Sequence, residues 1–528
     1  MNAQPVRLRT RSAAEIRASG SFAEAQAAGR YQGYTYSYPH KTSYGWFDSP
    51  LSLAELWSQQ DLSNTFLYGH IPFCEMRCGF CNLFTTTNPT ADAETLFVEA
   101  FERQARIVRS LLGPSLRVTT GAIGGGTPTL LSAAHLYRVF AVLADSYGVN
   151  YSHVPFSVET SPDTASAEKV AILGDVGIER ASIGIQSWFA QELRAMGRPQ
   201  DVEIAHAAVA RLRDSAIPKL NIDLIYGVEG QTETSMLANI AKTLQHEPDE
   251  VFLYPLYVRP LTGLGRNLAR SWDDDRIALY RVGRDALLEA GFRQVSMRRF
   301  ERLKPGPADD STGVSSDSDV SAVSGVLAVD AVDAVERSRL GSSLTGLAAN
   351  MTGARSVAAA SNATMATMDG DQPTSPFGPS YDCQRDPMIG LGPGARSYTP
   401  NVHYSTDWAV GREGVRSIID NYVSADDDHH KHAHYGVKLS LEDRKCRFIL
   451  QGLLHELGLD LAHYQTTIGS SALVDFSSLH ELLRDGLAHQ EDPASLRLTA
   501  LGFENSDVIG PWLYGDDVKQ RMSAFDIH

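Results

Sequence analysis

From residue 65 to residue 257 short β-rich runs alternate with longer helical patterns, and this alternation restricts the fold more than any other feature of the chain. The runs are TFLYGHI (65–71), RVTTGAI (117–123), VPFSVE (154–159), RASIGIQ (180–186), KLNIDLI (219–225) and VFLYPLY (251–257). Between them lie ADAETLFVEAFERQARIVRSLL (91–112), SAAHLYRVFAVLADSY (132–147), TASAEKVAILGDV (164–176), DVEIAHAAVARLRDS (201–215) and TETSMLANIAKTLQ (232–245). Apolar residues in the longer segments recur at three- and four-residue intervals, as a helix lying on a sheet requires. Strands joined through helices pair in parallel, so the expectation is an α/β fold. Six consecutive units predict a partial (β/α)6 TIM-like barrel.

In such barrels the working residues occupy loops after the carboxyl ends of the strands, on one rim. The first strand runs into YGHIPFCEMRCGFCNLF (68–84), which holds three of the five cysteines at Cys74, Cys78 and Cys81. Their C-x3-C-x2-C spacing lets three thiolates hold three irons of a four-iron cluster and leaves the fourth iron without a protein ligand. A zinc site completed by His70, or a redox dithiol of Cys78 and Cys81, are the alternatives that spacing leaves open.

GGGTP (124–128) follows the second strand, Glu159 closes the third, and Gln186 closes the fourth with Arg198 a turn or so beyond. Asp223 lies at the end of the fifth strand, and Tyr254 and Pro255 lie in the sixth. One rim gathers all of these motifs, so they read as one site. The glycines let backbone N–H groups approach a ligand closely. Glu159 suits a charged amino group, Asp223 and Gln186 suit a ribose, and Arg198 suits a carboxylate.

The rest of the chain divides by composition. Residues 1–30 read as a flexible arm, and 31–302 as the barrel with its N-terminal extension. The extension includes the tyrosine-rich YQGYTYSYPHKTSYGWF (31–47), which covers a barrel end or lines a pocket. Residues 303–380, rich in Ser, Ala, Asp, Gly and Thr, read as a disordered low-complexity insertion. Residues 381–436 read as a glycine-rich return to the barrel and a linker. Residues 437–528 read as a small helical, winged-helix-type C-terminal domain. His429, His430, His432 and His434 fall in a stretch read as a solvated loop, and Cys383 and Cys446 as structural thiols. Arg298, Arg299 and Arg396 are read as candidates for substrate carboxylates or as surface residues. The net charge of −16 argues against nucleic acid as a partner. With no apolar run long enough to span a bilayer and no paired-cysteine framework, a cytoplasmic location is expected.

YxHIPFCxxxCxxC, GGGTPTLL, SIGIQSWF with AMGR, DLIYG and IGLGPGA together resemble the radical S-adenosylmethionine enzymes. Within them the chain is similar to the coproporphyrinogen III dehydrogenase (oxygen-independent oxidase) family and its haem-chaperone relatives, over about 31–302 and from 381 onward. The resemblance implies a radical SAM barrel with a [4Fe–4S] cluster on Cys74, Cys78 and Cys81. It implies S-adenosyl-L-methionine on the open iron, cleaved by one electron to a 5′-deoxyadenosyl radical that abstracts hydrogen. Phe80 would then pack near the adenine, and Gly125, Gly126 and Thr127 would meet the cofactor on its methionyl side. Glu159, Gln186, Arg198 and Asp223 carry over as further cofactor contacts. Tyr68 carries over as the tyrosine that lies against the cofactor at the catalytic centre. A small-molecule substrate, a tetrapyrrole in the family, and a one-electron donor such as flavodoxin or ferredoxin would follow.

Two departures stand in the sequence. Leu83 occupies the place of a further cysteine in the dehydrogenase pattern. YDCQRDPM stands where the haem-chaperone branch carries His-Asn-x-x-Tyr-Trp. The chain therefore reads as a divergent subfamily. The resemblance implies action on a porphyrinogen or another carboxylated substrate, with haem binding or radical methyl transfer as the alternatives.

Overall fold

The computed structural model describes residues 20–35, 37–258, 262–266, 273–303 and 387–525. Most of the insertion read over 303–380, residues 1–19 of the arm, and Cys383 lie outside the described residues.

All six predicted strands form, within two residues of the expected ends: β1 (Thr65–Ile71), β2 (Val118–Gly125), β3 (Phe156–Thr160), β4 (Arg180–Gln186), β5 (Lys219–Tyr226) and β6 (Glu250–Pro255). They pair in parallel in chain order. The connecting helices are α1 (Ala91–Leu111), α2 (Ala133–Tyr147), α3 (Ala167–Val176), α4 (Val202–Arg213) and α5 (Glu233–Leu244). Each begins where a side-chain oxygen accepts an N–H of the first turn, at Thr90, Ser132, Ser166, Asp201 and Thr232. The periodic apolar residues then turn inward. α1, for example, buries Phe97, Val98, Phe101, Ala105 and Val108 in the core that the sheet shares.

The sheet continues beyond the six units on both sides. After α6 (Asp273–Glu289), the hairpin of β7 (Phe292–Gln294) and β8 (Arg299–Arg302) adds antiparallel to β6. On the other side β9 (Met388–Leu391) lies parallel to β1, followed by β10 (Arg396–Tyr398) and β11 (Val402–Ser405). The helix α7 (Arg412–Ser424) leads to β12 (His432–Lys438), which pairs with β11 and with the N-terminal strand Gly45–Ser52. These added strands are mostly three or four residues long, too short to show a period of two in sequence. The histidine stretch is therefore corrected: His432 and His434 lie on a strand of the main sheet, and His430 is buried against Tyr422.

The C-terminal segment packs Leu441–Leu453 and shorter helices around Ile449, Leu453, Tyr464, Leu479, Leu482 and Leu496. Its three-stranded sheet, Leu459–Asp460, Ser495–Leu498 and Ala488–His489, supplies the hairpin of a winged-helix arrangement. The arm reading is corrected over part of its length. Phe22–Ala27 is a helix with a capping box, and Phe22 lies edge-on to Trp512 with ring centroids 5.5 Å apart. Cys446 is buried and lies against the Leu513 carbonyl, as a structural thiol does. No helix among the described residues is long and apolar enough to cross a membrane.

Candidate active site

The strand period of two sets Tyr68 and His70 on one face of β1, opposite Ala122 and Gly124 of β2. His70 Nε2 lies 3.0 Å from the Phe84 carbonyl and so donates to it, leaving Nδ1 to accept the Tyr68 hydroxyl at 3.3 Å. Burial pushes this imidazole down to about 4, so it is neutral. Both ring nitrogens are engaged, which removes His70 as the fourth ligand of a zinc site. Among the described residues no three His, Cys, Asp or Glu side chains converge as a single ion requires.

The cysteine loop leaves β1 through the short pairing of Phe73–Cys74 with Thr86–Thr87. Cys74, Cys78 and Cys81 are free thiols, Cys78 buried and the others half-buried. Burial, then the neighbouring Cys81, pushes Cys74 up to about 12, and burial raises Cys81. As bare thiols Cys74 and Cys81 resist ionisation, and a bound cation supplies the charge that reverses this. The loop is pinned at Gly79, whose N–H is shared between the carbonyls of Met196 and Gly197, both at 3.1 Å. The Gly79 carbonyl accepts from Leu264 N–H at 2.7 Å. Phe80 packs with Leu193, Met196, Ile225, Val228 and Leu256.

The glycine loop does something other than the sequence suggests. A Cβ on Gly124 would stand 2.7 Å from the Glu159 carboxyl carbon, and one on Gly126 would stand 2.4 Å from the Phe73 carbonyl oxygen. Gly125, with φ +106°, faces the His70 ring at 2.5 Å in the same sense. The missing side chains make room for the protein's own groups. The N–H groups are also used internally: Gly125 donates to Glu159 Oε2 at 2.9 Å, Gly126 to Ile71 O at 2.7 Å and Thr127 to Phe73 O at 2.6 Å. The expectation that these amides face a ligand is corrected. The Thr127 hydroxyl points at Cys74 Sγ, 3.8 Å away.

Inside the strands the alternation lays down polar side chains where a filled barrel would carry aliphatic layers. Glu159 pairs in register with Ser182, Ser182 with Asn221, and Gly184 with Asp223. Glu159 is accessible to water, but only within the protein-walled mouth. Burial therefore pushes its carboxyl up to about 7, opposed by the Gly125 amide and reinforced by Asp223. Asp223 is also raised by burial, while Asn221 and Ser182 donate to it at 2.7 and 3.3 Å. It lies within β5 rather than at its end.

Gln186 ends β4 at a register break, with φ +70°, a left-handed backbone that favours glycine. Its Oε1 is buried without a hydrogen-bond partner among the described residues. Beyond it the short helix Ala190–Ala195 brings Arg198 back to the cysteine loop. Arg198 Nη1 donates to Cys78 Sγ at 2.9 Å, Nη2 to Gly184 O at 2.8 Å and Nε to Gln200 Oε1 at 2.9 Å.

The structure therefore draws Tyr68, Cys74, Cys78, Cys81, Thr127, Glu159, Gln186, Arg198 and Asp223 to neighbouring strands and the loops that follow them. Two of the three candidate arginines do other work. Arg299 and Arg180 flank the buried Glu250. Burial opposes ionisation there, and the two guanidiniums overcome it and hold the carboxyl down at about 2. Arg298 is buried against Asp507 of the C-terminal segment. Arg396 is half-buried and donates to Ser37 at 2.7 Å. The tyrosine-rich segment covers this end: Tyr31 lies edge-on to Tyr226 and Tyr257, and Tyr34 to Tyr254. Leu83 is 49% exposed.

Glu192, which sequence reasoning passed over, is buried and accepts from Ser187, Gln231, Ser235 and Asn239. Asn239 Oδ1 in turn accepts the Trp188 N–H at 2.7 Å. The one sequence signal was a carboxylate next to the buried Leu193 of a short helix.

The donor set fits an iron–sulfur cluster and an organic cofactor beside it. Of the three cysteine sulfurs, Cys74 is met by an O–H donor and Cys78 by an N–H donor, and an orphaned amide oxygen lies at the rim.

Residues 68–242 match the sequence profile of the Radical SAM superfamily. Over 246 residues the chain is 29% identical to an oxygen-independent coproporphyrinogen III oxidase of Paracoccus denitrificans, covering 46% of this chain and 54% of that protein. It is 33% identical over 242 residues to the mitochondrial radical S-adenosyl methionine domain-containing protein 1 of Mus musculus, covering 45% and 54%. It is 29% identical over 242 residues to the heme chaperone HemW of Lactococcus lactis, covering 44% and 61%. The chain thus spans little more than half the length of the curated relatives it matches. The coproporphyrinogen III oxidase HemN of Escherichia coli superposes with a TM-score of 0.65 at 18% identity, over 90% of this chain and 96% of that one. That likeness establishes a shared fold.

Proposed function

We propose, from the premise that residues 68–242 form a radical S-adenosylmethionine domain, that the protein is an oxidoreductase of the coproporphyrinogen-oxidase-like branch. Cys74, Cys78 and Cys81 would hold a [4Fe–4S] cluster, with S-adenosylmethionine alongside. When bound, the pair supplies a one-electron reductive cleavage yielding a 5′-deoxyadenosyl radical for hydrogen abstraction.

The observation that carries this reading is Arg198, which reaches in one span from the Cys78 sulfur to Gly184 on the strand beside Glu159 and Asp223. The cysteine loop and the polar mouth are therefore adjacent, as a cluster and its organic partner require. In the loaded protein Glu159 takes the amino group as an anion, and the Gly125 amide fixes its orientation. Asp223, held by Ser182 and Asn221, and Gln186, with its unsatisfied oxygen, receive ribose hydroxyls. Phe80 supplies an apolar face for the adenine. Gly125, Gly126 and Thr127 meet the cofactor through atoms other than their N–H groups, and Tyr68, oriented by His70, lies against it. Arg198 also has N–H groups left for a carboxylate.

The substrate is a porphyrinogen or another carboxylated small molecule. The named relatives support this class, and the half-buried Arg396 is a candidate contact for its carboxylates. A ferredoxin or flavodoxin delivers the electron.

The test is anaerobic reconstitution with iron, sulfide and a reductant, then incubation with S-adenosylmethionine and mass analysis. 5′-Deoxyadenosine without S-adenosylhomocysteine supports hydrogen abstraction. S-adenosylhomocysteine points to methyl transfer, and tight haem binding without cofactor cleavage points to a haem chaperone. A Cys78→Ala protein that still holds four irons and cleaves the cofactor overturns the ligand assignment.

A further inference from the structure

We propose that Arg198 sets the reduction potential of the cluster by donating a charge-assisted N–H···S hydrogen bond to the Cys78 sulfur; this rests on the cluster reading above. Arg198 is 8% exposed, and all three of its nitrogens are engaged, at Cys78 Sγ (2.9 Å), Gly184 O (2.8 Å) and Gln200 Oε1 (2.9 Å). A planar guanidinium held at three points cannot swing away from the sulfur without breaking the other two bonds. Gln200 is itself buried and tied to the Ile185 carbonyl at 3.4 Å. The short helix leading to Arg198 is fixed by Glu192, whose four donors come from the loop after β4, the β5–α5 loop and α5.

The donors on the sulfurs are unequal. Cys74 faces a neutral hydroxyl, Thr127 Oγ1, at 3.8 Å, whereas Cys78 faces a cation at 2.9 Å. A donor that withdraws negative charge from a ligand sulfur favours the more negative, reduced state of the cluster and raises its potential. A charged donor in a water-poor site does so more strongly than a neutral one. Arg198 therefore makes the first electron easier to deliver, in addition to any contact with the cofactor.

The experiment uses the full-length reconstituted protein without S-adenosylmethionine, so cofactor contacts do not enter. A redox titration followed by electron paramagnetic resonance compares the wild type with Arg198→Gln. The expected result is a midpoint shifted to more negative potential in the variant, and an unchanged midpoint overturns the inference. A second measurement needs no variant: with 15N-guanidino arginine incorporated, the reduced wild-type cluster shows hyperfine coupling to nitrogen. Absence of that coupling overturns the inference even where Arg198→Gln fails to assemble a cluster. If the wild type binds no four-iron cluster, the functional reading falls and takes this inference with it. A wild-type cluster with no nitrogen coupling removes the inference alone.

Discussion

The carboxylate of Glu159 accepts the backbone N–H of Gly125 at 2.9 Å across neighbouring strands, and its end lies where a side chain on the adjacent Gly124 would begin. This acid sits in a protein-walled mouth with its carboxyl pushed up to about 7. As an anion it binds an amino group, and below about pH 7 it is neutral and does not. Affinity for S-adenosylmethionine should therefore rise as pH increases through about 7 and level off above it. Glu159→Gln should flatten that profile and weaken binding by about 1.5–3 kcal/mol at the upper plateau. The sign for stability is the reverse. A raised carboxyl pKa contributes stability below the ordinary carboxyl range and loses it as pH rises through about 7. Melting temperatures at acid and alkaline pH should thus show Glu159→Gln gaining on the wild type at the alkaline end.

Gly124→Ala isolates the glycine loop from the fold. Its Cβ would stand 2.7 Å from the end of the Glu159 side chain, which can turn aside. Cofactor affinity should fall about tenfold or more, while unfolding free energy changes by about 1 kcal/mol or less. Gly125→Ala differs because φ +106° and the His70 ring both oppose a side chain. Its cost should reach about 2–4 kcal/mol. Isothermal titration and urea denaturation on the two variants separate these cases.

Arg298 and Asp507 form a buried ion pair between β7–β8 and the C-terminal segment, with the Tyr226 hydroxyl 3.3 Å from Arg298. Removing one partner leaves a buried charge uncompensated. Arg298→Met should destabilise the protein by about 3–5 kcal/mol, and the double variant Arg298→Met, Asp507→Leu should recover most of it. Chemical denaturation of the three variants decides whether the pair contributes stability or only matches charges.

Glu192→Ala removes the shared acceptor of four donors. Three of them keep a second acceptor: Ser187 has Asn239, Ser235 has the Thr232 carbonyl and Gln231 has the Ile225 carbonyl. Asn239 Nδ2 has no second acceptor among the described residues. The loss should therefore be about 1–3 kcal/mol, smaller than four bonds suggest. Hydrogen exchange should localise the loosening to residues 187–198.

The barrel was legible because its signals are local. TFLYGHI and RASIGIQ became strands with their predicted limits, since a short run of β-formers between helical segments leaves the backbone few alternatives. The grouping of the three cysteines was equally plain, because their spacing is a property of one loop. The added strands were not visible: Val402–Ser405 and Arg396–Tyr398 are too short for a period and are strands only because neighbours pair with them on both sides. The arginines were misjudged for a related reason. Neither Asp507 nor Glu250 is near Arg298 or Arg299 in sequence, so neither partner can be inferred from spacing.

By itself, then, the sequence determined the order of the six units, the strand or following loop that carries each motif and the spacing of the three cysteines. These depend on period and spacing within a few residues. Tertiary structure alone decided what the motifs touch. It turned the glycine amides inward to Glu159, Ile71 and Phe73, engaged His70 between Tyr68 and Phe84, and laid the Arg198 guanidinium on the Cys78 sulfur. Those contacts join residues on different strands and loops, and packing selects them only once the sheet has brought the strands together.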